Sequence, residues 1–231
     1  MFPLMIYYGF EFKITSLHRR YMELVECDEL INDIRTNFRN KSMKRPYLVG
    51  IDGLGGAGKT TLVHQLMSRL QKYCPVVIIR LDDHIVERNK RYGTGREEWY
   101  EYYYLQWDIS MLTEELFMKI HENCSCLTLP FYDKSNDTYK MKDIPIPTNS
   151  IVIIEGVFNQ RIEWIGYYDF TVFVDCPRDI RYERVLQRDT YIGSREKILD
   201  KYRKRYWLAE EHYLEVVKPE MTADKIYRVN S

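Results

Sequence analysis

The chain reads Gly53-Leu54-Gly55-Gly56-Ala57-Gly58-Lys59-Thr60-Thr61 between an apolar run at 47–51 and an amphipathic run that begins at Leu62. This order predicts a strand, a glycine-rich loop and a helix, which is the setting that a phosphate-binding loop requires. Glycines let the backbone turn tightly with several N–H groups aimed at an anion, and the start of the helix adds partial positive charge. Lys59 can reach the terminal phosphates of a nucleotide, and the Thr60 hydroxyl can ligate the accompanying magnesium ion. The residues predicted to bind the nucleotide are Gly53, Gly55, Gly56, Ala57, Gly58, Lys59, Thr60 and Thr61.

The same residues satisfy a second pattern, Gly-x-Gly-x-x-Gly at Gly53, Gly55 and Gly58, which is typical of dinucleotide-binding folds. Asp82 follows at a suitable spacing for the ribose contact of such a fold. That fold has no use for Lys-Thr at this point, whereas a phosphate-binding loop needs both residues. We therefore favour a nucleotide-phosphate site over a dinucleotide site and over a chance glycine-rich turn.

The composition is that of a globular protein without a strong electrostatic bias. The 231 residues are 45% hydrophobic, which suffices for one large α/β domain with or without an appendage. The 34 basic and 34 acidic residues cancel, so no global field predicts binding to nucleic acid or to an anionic membrane. No apolar run reaches the length of a membrane span, and the first residues make a poor signal peptide. The five scattered cysteines predict free thiols in a reducing cytosol, and no histidine has a metal partner at a suitable spacing.

Apolar runs predict strands that alternate with helices along the chain. The runs typical of buried parallel strands are 47–51, 76–81, 151–154, 171–174 and 225–229. A short strand at 127–130 is expected to be followed by a polar loop over 132–142. Helical patterns cover 62–73, 108–120, 179–189 and 195–217. The alternation predicts a parallel α/β sheet with helices on both faces.

The segment before the first predicted strand carries apolar residues at helical spacing between Leu17 and Phe38. A polar connector follows at 40–46. We therefore predict a helical N-terminal extension over 1–45 that packs on a domain over 46–231. Met22 is an alternative start of the protein, which the sequence leaves open.

Acidic residues follow the predicted strands and are expected to meet near the glycine loop, because ligands bind at the carboxyl ends of parallel strands. These residues are Asp52, Asp82, Asp83, Glu155 and Asp175. A carboxylate at Asp82 or Asp83 could accept the proton of a hydroxyl that attacks a γ-phosphate, although a helix cap is the alternative. Glu155 could hold magnesium or its water, or could be a buried structural carboxylate.

Two further clusters could serve a phosphoryl-transfer site. Arg181, Arg184 and Arg188 share one face of a predicted helix, where they would either clamp phosphate oxygens or form an exposed basic surface. The aromatic residues between Trp99 and Trp107 could stack a planar acceptor, but core packing is the favoured interpretation.

In their order along the chain, these motifs resemble the uridine kinase and phosphoribulokinase-like family of P-loop kinases. The resemblance covers about residues 46–229. Besides the glycine loop, the matching stretches are Leu81-Asp82-Asp83-His84, Pro130-Phe131-Tyr132-Asp133, Ile153-Ile154-Glu155-Gly156-Val157, Arg184-Val185-Leu186-Gln187-Arg188-Asp189, and Lys218-Pro219 followed by Ala223-Asp224.

The resemblance implies an α/β P-loop fold of nucleoside/nucleotide-kinase architecture that uses ATP and Mg²⁺. Lys59 would then contact the β- and γ-phosphates, and Thr60 and Glu155 would lie at the metal ion. Asp82 would be the general base, with Asp83 as second choice. Arg184 and Arg188 would form a lid.

The departures from uridine kinases lie where the acceptor would bind. The stretch 134–139 has neither the His nor the Ser-Arg of those enzymes, and a Tyr-Trp cluster around 102–107 replaces their acidic nucleoside-binding motif. The expected reaction is transfer of a γ-phosphoryl group to a hydroxyl of a small metabolite in the cytosol. Uridine, pantothenate, a sugar phosphate and glycerate all stay open as acceptors, as does a homo-oligomeric state. A nucleotide-binding ATPase is a weaker alternative, and a GTPase would need an Asn-Lys-x-Asp stretch that the sequence lacks.

Overall fold

A five-stranded parallel sheet forms the centre of the protein, for which a computed structural model describes residues 25–42 and 44–229. The strands are β1 (Tyr47–Asp52), β2 (Val76–Arg80), β5 (Ile151–Glu155), β6 (Phe170–Asp175) and β7 (Lys225–Arg228). Their order across the sheet is β2-β5-β1-β6-β7, and every neighbouring pair is parallel. Strands β1 and β5 are buried along their whole length, which explains their unbroken apolar sequences.

Helices cover both faces of this sheet. They are α1 (25–40), α2 (Lys59–Leu70), α3 (Arg88–Arg91), α4 (Glu98–Tyr104), α5 (109–121), α6 (Arg178–Arg188), α7 (195–216) and α8 (Pro219–Thr222). Helices α5 and α7 contain π-helical segments at Thr113–Met118 and Tyr202–Tyr206. Within β1, Leu48 packs in one apolar cluster while Val49 and Ile51 pack in another, as expected when successive side chains point to opposite faces. The predicted parallel α/β architecture is confirmed.

Helix α1 is part of one of these two cores. Cys27, Leu30, Ile31 and Ile34 are buried at a helical spacing and pack in the same cluster as β1 and α2. The predicted helical N-terminal extension is therefore confirmed for its described residues. The predicted helical residues 17–24, Met22 among them, lie outside the described part of the chain, and the domain boundary at residue 45 stays a prediction.

The prediction of a polar loop over 132–142 is wrong. Strands β3 (Cys126–Asp133) and β4 (Thr138–Pro145) form a separate antiparallel hairpin that includes most of that segment. Almost every residue of β4 is exposed, and its apolar alternation is limited to Tyr139 and Met141, which is too short to identify a half-buried strand. The turn is stabilised by Asp133, whose carboxylate accepts hydrogen bonds from the Ser135 N–H and the Asn136 amide, and by the left-handed conformation of Asp137 (φ 53°).

In the described ranges, every helix is too short or too polar to cross a lipid bilayer.

Candidate active site

The glycine loop joins the carboxyl end of β1 to the first turn of α2. Gly56 adopts a positive φ of 78°, and a Cβ atom there would lie 2.9 Å from the carbonyl oxygen of Arg181. Any other residue would combine backbone strain with a clash. The loop is also closed internally, because the Ala57 N–H donates to the Leu54 carbonyl at 3.1 Å. The chain therefore has the tight glycine turn that its sequence predicts, and its role in binding an anion stays a prediction.

Lys59 lies over this loop among several carboxylates. Its ammonium donates to the carbonyls of Gly53 at 2.6 Å and Leu54 at 3.1 Å. Burial lowers the pKa of Lys59, while the negative charges of Asp82, Asp52 and Glu155 oppose that shift. The ends of β1, β2 and β5 thus meet around one lysine, as expected for parallel strands.

Asp52 is part of the structure beneath the loop. It is fully buried, and its carboxylate accepts hydrogen bonds from the Tyr213 hydroxyl, the Gln160 amide and the Asn159 N–H. Burial raises the pKa of Asp52, and these hydrogen bonds oppose the shift. The bonded carboxylate ties the loop's entry to α7 through Tyr213, so its role is support of the loop.

Glu155 and Thr60 form a pair that fits a hard divalent cation. The Thr60 hydroxyl donates to Glu155 Oε1 at 3.2 Å, and Arg80 Nε lies 3.4 Å from the same oxygen. Glu155 Oε2 is buried and has no hydrogen-bond partner among the described residues, and burial raises the pKa of this carboxyl. Mg²⁺ binds through one or two protein oxygens plus substrate phosphates. The Thr60 hydroxyl and the unpartnered Glu155 oxygen are the donors such an ion would need.

Asp82 and Asp83 follow β2 in a short 3₁₀ turn, Leu81–His84, beside the end of β5. A Cβ atom on Gly156 would lie 2.7 Å from Leu81 Cδ1, so the Glu-Gly sequence is what lets the two strand ends approach. Asp82 reaches solvent, but the protein around it removes enough hydration to raise its pKa, against the opposing charges of Lys59 and Arg188. The charge of Asp82 in turn acts on Lys59, where it opposes the lowering of the lysine pKa.

The three arginines of α6 have different surroundings. Arg184 is exposed, and its Nη1 donates to the glycine-loop carbonyls of Gly56 at 3.1 Å and Ala57 at 3.2 Å. Arg188 is exposed and bonds to the Asp189 carboxylate and the Tyr202 hydroxyl. Arg181 is buried beneath the loop. Only Arg184 and Arg188 are therefore placed where a phosphate could reach them.

A buried ion pair that the sequence analysis did not identify braces the glycine loop. The Gly55 N–H donates to Glu210 Oε1 at 2.7 Å, and Arg181 Nη1 donates to Glu210 Oε2 at 2.9 Å and to the Gly55 carbonyl at 3.2 Å. Both side chains are nearly inaccessible to solvent. Glu210 comes from α7 and Arg181 from α6, so the pair fixes the loop against two helices.

Replacing Glu210 by glutamine should lower the melting temperature and raise the KM for ATP. The change leaves Arg181 as a buried cation without its partner, which costs about 3–5 kcal/mol, or roughly 10 °C in a domain of this size. Glu211→Gln is the matched control, because Glu211 is 57% exposed and lies 3.5 Å from Arg178. Breaking such a surface pair should shift the melting temperature by no more than about 2 °C. Equal shifts in the two variants, measured by calorimetry, would contradict the brace.

A cavity of about 250 Å³ opens beside the glycine loop, on the side of α6 and β7. It is lined by Ala57, Gly58, Thr61, Leu62, Gln65, Arg184, Tyr227 and Val229. Its position next to the first turn of α2 is suitable for the base and ribose of a nucleotide whose phosphates lie in the loop. The glycine-loop motif supplies one wall of this cavity, whereas no motif pointed to the opposite wall at Tyr227 and Val229, which comes from a separate element.

The aromatic cluster at 99–107 is largely packing, as the favoured interpretation predicted. Tyr103 and Trp107 are buried, and their rings contact Phe158. The Tyr102 ring packs edge-on against Phe158 and Tyr206 at centroid distances of 5.3 and 4.8 Å. These rings pack between Phe158 and the Tyr206 and Tyr213 rings of α7.

Comparison with known proteins agrees with this geometry. Residues 48–229 match the model of the phosphoribulokinase / uridine kinase family. A uridine kinase of Lactobacillus johnsonii is 29% identical over 162 residues, a match that covers 69% of this chain and 76% of that protein. A solved structure of a possible uridine kinase from Bacillus stearothermophilus is 39% identical with a TM-score of 0.73, and the match covers 87% of this chain and 97% of the other. A D-glycerate 3-kinase from Cryptococcus neoformans, at 15% identity and a TM-score of 0.63 over 88% of this chain and 95% of its own, shares the fold alone.

The matched region includes every part of the site described above. It contains the glycine loop, the carboxylates at the strand ends and the arginine-bearing helix α6. Since the match extends over most of the chain, the protein belongs to the phosphoribulokinase / uridine kinase family and is a phosphotransferase that acts on a hydroxyl group.

Proposed function

We propose that the protein transfers the γ-phosphoryl group of Mg²⁺-bound ATP to a hydroxyl of a small metabolite, in the manner of a uridine kinase. The observation that carries this proposal is the meeting of Lys59, the Thr60–Glu155 pair and Asp82 at one edge of the sheet. Phosphoryl transfer needs a lysine and a cation site at the phosphates of the donor, and a carboxylate at the hydroxyl of the acceptor.

Each residue has a defined task in this reaction. Lys59 leaves its loop carbonyls to contact the β- and γ-phosphates. Thr60 and Glu155 would hold a magnesium ion, which would neutralise charge on those phosphates. Asp82 accepts the proton of the attacking hydroxyl, with Asp83 as the alternative. Arg184 and Arg188 neutralise the charge that develops on the transferred group.

Two features support ATP as the donor and a closed site during transfer. The cavity beside the glycine loop gives the base a place next to Arg184. Arg184 and Arg188 lie on one exposed face of α6, so closure of these two side chains over the glycine loop would bring both guanidinium groups toward the phosphates. Exclusion of water by such closure would keep the enzyme from hydrolysing ATP without an acceptor.

Two classes of small molecule are candidates for the phosphoryl acceptor. Relatives such as the Lactobacillus johnsonii protein are named uridine kinases, which supports a nucleoside at 29% identity. A non-nucleoside acceptor such as pantothenate, glycerate or a sugar phosphate is the second candidate, because the stretch 134–139 lacks the His and Ser-Arg expected of a uridine kinase. A nucleotide-binding ATPase is a third and weaker candidate for the function.

An acceptor screen tests the proposal directly. ADP release from the purified full chain with Mg²⁺ and ATP should be slow alone and should rise when one acceptor from a panel is added. The panel holds uridine, cytidine, pantothenate, glycerate and sugar phosphates, and mass spectrometry of the product should show one added phosphoryl group. Fast ADP release that no acceptor alters would instead identify an ATPase.

A further inference from the structure

Three cations surround the ring of Tyr92 on the acceptor side of the site. The distances to its centroid are 4.0 Å from Arg205 Cζ, 4.9 Å from Arg91 Cζ and 5.4 Å from Lys201 Nζ. Burial works against ionisation of this tyrosine, yet the combined charge of the three cations lowers its pKa. We call these three residues the Tyr92 cation cluster. A site that lowers the pKa of a phenol favours negative charge.

Among the described residues, Arg205 is the member of the cluster that forms an ion pair with a carboxylate. Arg205 is fully buried, pairs with Glu101 at 3.2 Å, and donates to the carbonyls of Glu98 and Arg91. These bonds connect α7 to α3 and α4, so the role of Arg205 is to hold these helices together.

Arg91 and Lys201 supply the surplus charge. Arg91 is 6% exposed and donates to the Val86 carbonyl and the Tyr132 hydroxyl, both neutral acceptors. Lys201 has neither a hydrogen bond nor an ion pair within the described residues, only its ring contacts with Tyr92 and Tyr206. Keeping two such cations together costs free energy that a bound anion would repay.

The nearby carboxylates have hydrogen-bond donors outside the cluster, although Asp137, whose pKa is lowered chiefly by the Arg88 N–H, also feels the charge of Arg91. Asp137 accepts from the Arg88 N–H and the Tyr132 hydroxyl, and Asp189 accepts from Arg188 and the Tyr202 hydroxyl. Glu101 is shared between Arg205 and Thr94. The cluster therefore keeps a net positive charge.

The cluster is separated from Asp82 by one aromatic ring. Arg205 Cζ lies 5.5 Å from the centroid of Tyr102, and the charge of Asp82 contributes to the raised pKa of that tyrosine. Tyr132, which bonds Arg91, belongs to the β3–β4 hairpin beside the Asp82 turn. If the hydroxyl of a small molecule lies at Asp82, the other end of that molecule can therefore reach the Tyr92 cation cluster.

We propose that the phosphoryl acceptor carries an anionic group, a carboxylate or a phosphate, which Lys201 and Arg91 bind while its hydroxyl lies at Asp82. This rests on the proposed function, since it takes Asp82 as the base. In the transfer, the acceptor oxygen forms a bond to the γ-phosphorus and the bond to the ADP oxygen breaks. The hydroxyl proton passes to Asp82, and ADP leaves. A neutral nucleoside would leave both cations without a counter-charge in the closed site.

Lys201 is the residue to replace, because within the described residues it makes ring contacts with Tyr92 and Tyr206 but neither a hydrogen bond nor an ion pair. The full chain is saturated with Mg²⁺ and a non-hydrolysable ATP analogue, so that the glycine loop is filled, and is titrated with inorganic phosphate and with glycerate by calorimetry. At least one anion should bind saturably. Lys201→Gln should weaken that binding roughly 10- to 100-fold, the worth of a charge-assisted hydrogen bond. Lys204→Gln, on the exposed side of the same helix and paired with Asp200, should leave it unchanged.

Matched acceptors then distinguish the kind of anion. Glycerate is compared with glycerol, pantothenate with pantothenyl alcohol, and a pentose 5-phosphate with the free pentose, each in the ADP-release assay. The charged member of the productive pair should have the higher kcat/KM, and Lys201→Gln should raise its KM while the KM for ATP stays constant.

Different results would overturn the anionic acceptor and the proposed kinase function. If neither anion binds in a Lys201-dependent way, or if uridine is phosphorylated with a KM that Lys201→Gln does not change, the anionic acceptor is overturned and the kinase proposal stands. If anions bind through Lys201 but no acceptor of any kind is phosphorylated, the proposed kinase function fails while the anion site stands.

Discussion

Replacing Lys59 by alanine should abolish phosphoryl transfer while the protein stays folded. Lys59 is the one side chain that is both anchored over the glycine loop and surrounded by the carboxylates of three strand ends. Removing a preorganised charge that stabilises the transition state costs on the order of 10²- to 10³-fold in kcat or more. The loss should be seen as absence of ADP release at any acceptor concentration.

The fold should tolerate this change. The two hydrogen bonds that Lys59 makes go to loop carbonyls, and the helix that it begins is held in the core by Leu62, Val63 and Leu66. Thermal unfolding of Lys59→Ala should therefore stay close to that of the wild type, and Lys72→Ala, at an exposed lysine beyond the end of α2, should alter neither stability nor turnover. Turnover retained by a folded Lys59→Ala protein would contradict the assignment of the glycine loop as the phosphate site.

The central sheet was predictable because its three middle strands, β1, β5 and β6, are buried along most or all of their length. Runs such as Ile151–Glu155 need no partner to be recognised, and the carboxyl ends of parallel strands must meet at one edge. That rule was enough to bring Asp82 and Glu155 to Lys59. It could not show that Asp52, the acid at the end of β1, supports the loop instead. That role depends on hydrogen bonds from Tyr213 and Gln160, which the sequence does not show.

The features that sequence reasoning missed depend on contacts between distant segments. Glu210 looks like one more surface acid beside Glu211, and only the packing of α7 against α6 buries it with Arg181. Lys201 and Arg91 are separated by more than a hundred residues and meet only at the ring of Tyr92. The strand β4 is exposed, and its two alternating apolar residues, Tyr139 and Met141, are too few to mark a strand. Pattern reading finds apolar runs and periodic apolar faces, and none of these features is either.

Replacing Asp82 by asparagine should lower kcat by about 10²-fold or more if Asp82 is the general base, because asparagine keeps the shape and cannot accept the proton. The KM for the acceptor should change little. Asp83→Asn is the matched control in the adjacent position, and its kcat should stay near that of the wild type. A loss confined to KM in Asp82→Asn, together with a fall of kcat in Asp83→Asn, would move the role to Asp83.

The pH dependence gives an independent readout of the same assignment. The base works as the ionised carboxylate, and its surroundings raise the pKa of Asp82 against the opposing charges of Lys59 and Arg188. The acid limb of kcat should therefore lie at a higher pH than an ordinary aspartate would give, with activity present above that pKa and lost as the pH falls through it. In Asp82→Asn the remaining slow rate should lack this limb, whereas Asp83→Asn should keep it. A limb that persists in Asp82→Asn would belong to another group, and Glu155, whose pKa burial also raises, would be the next to replace.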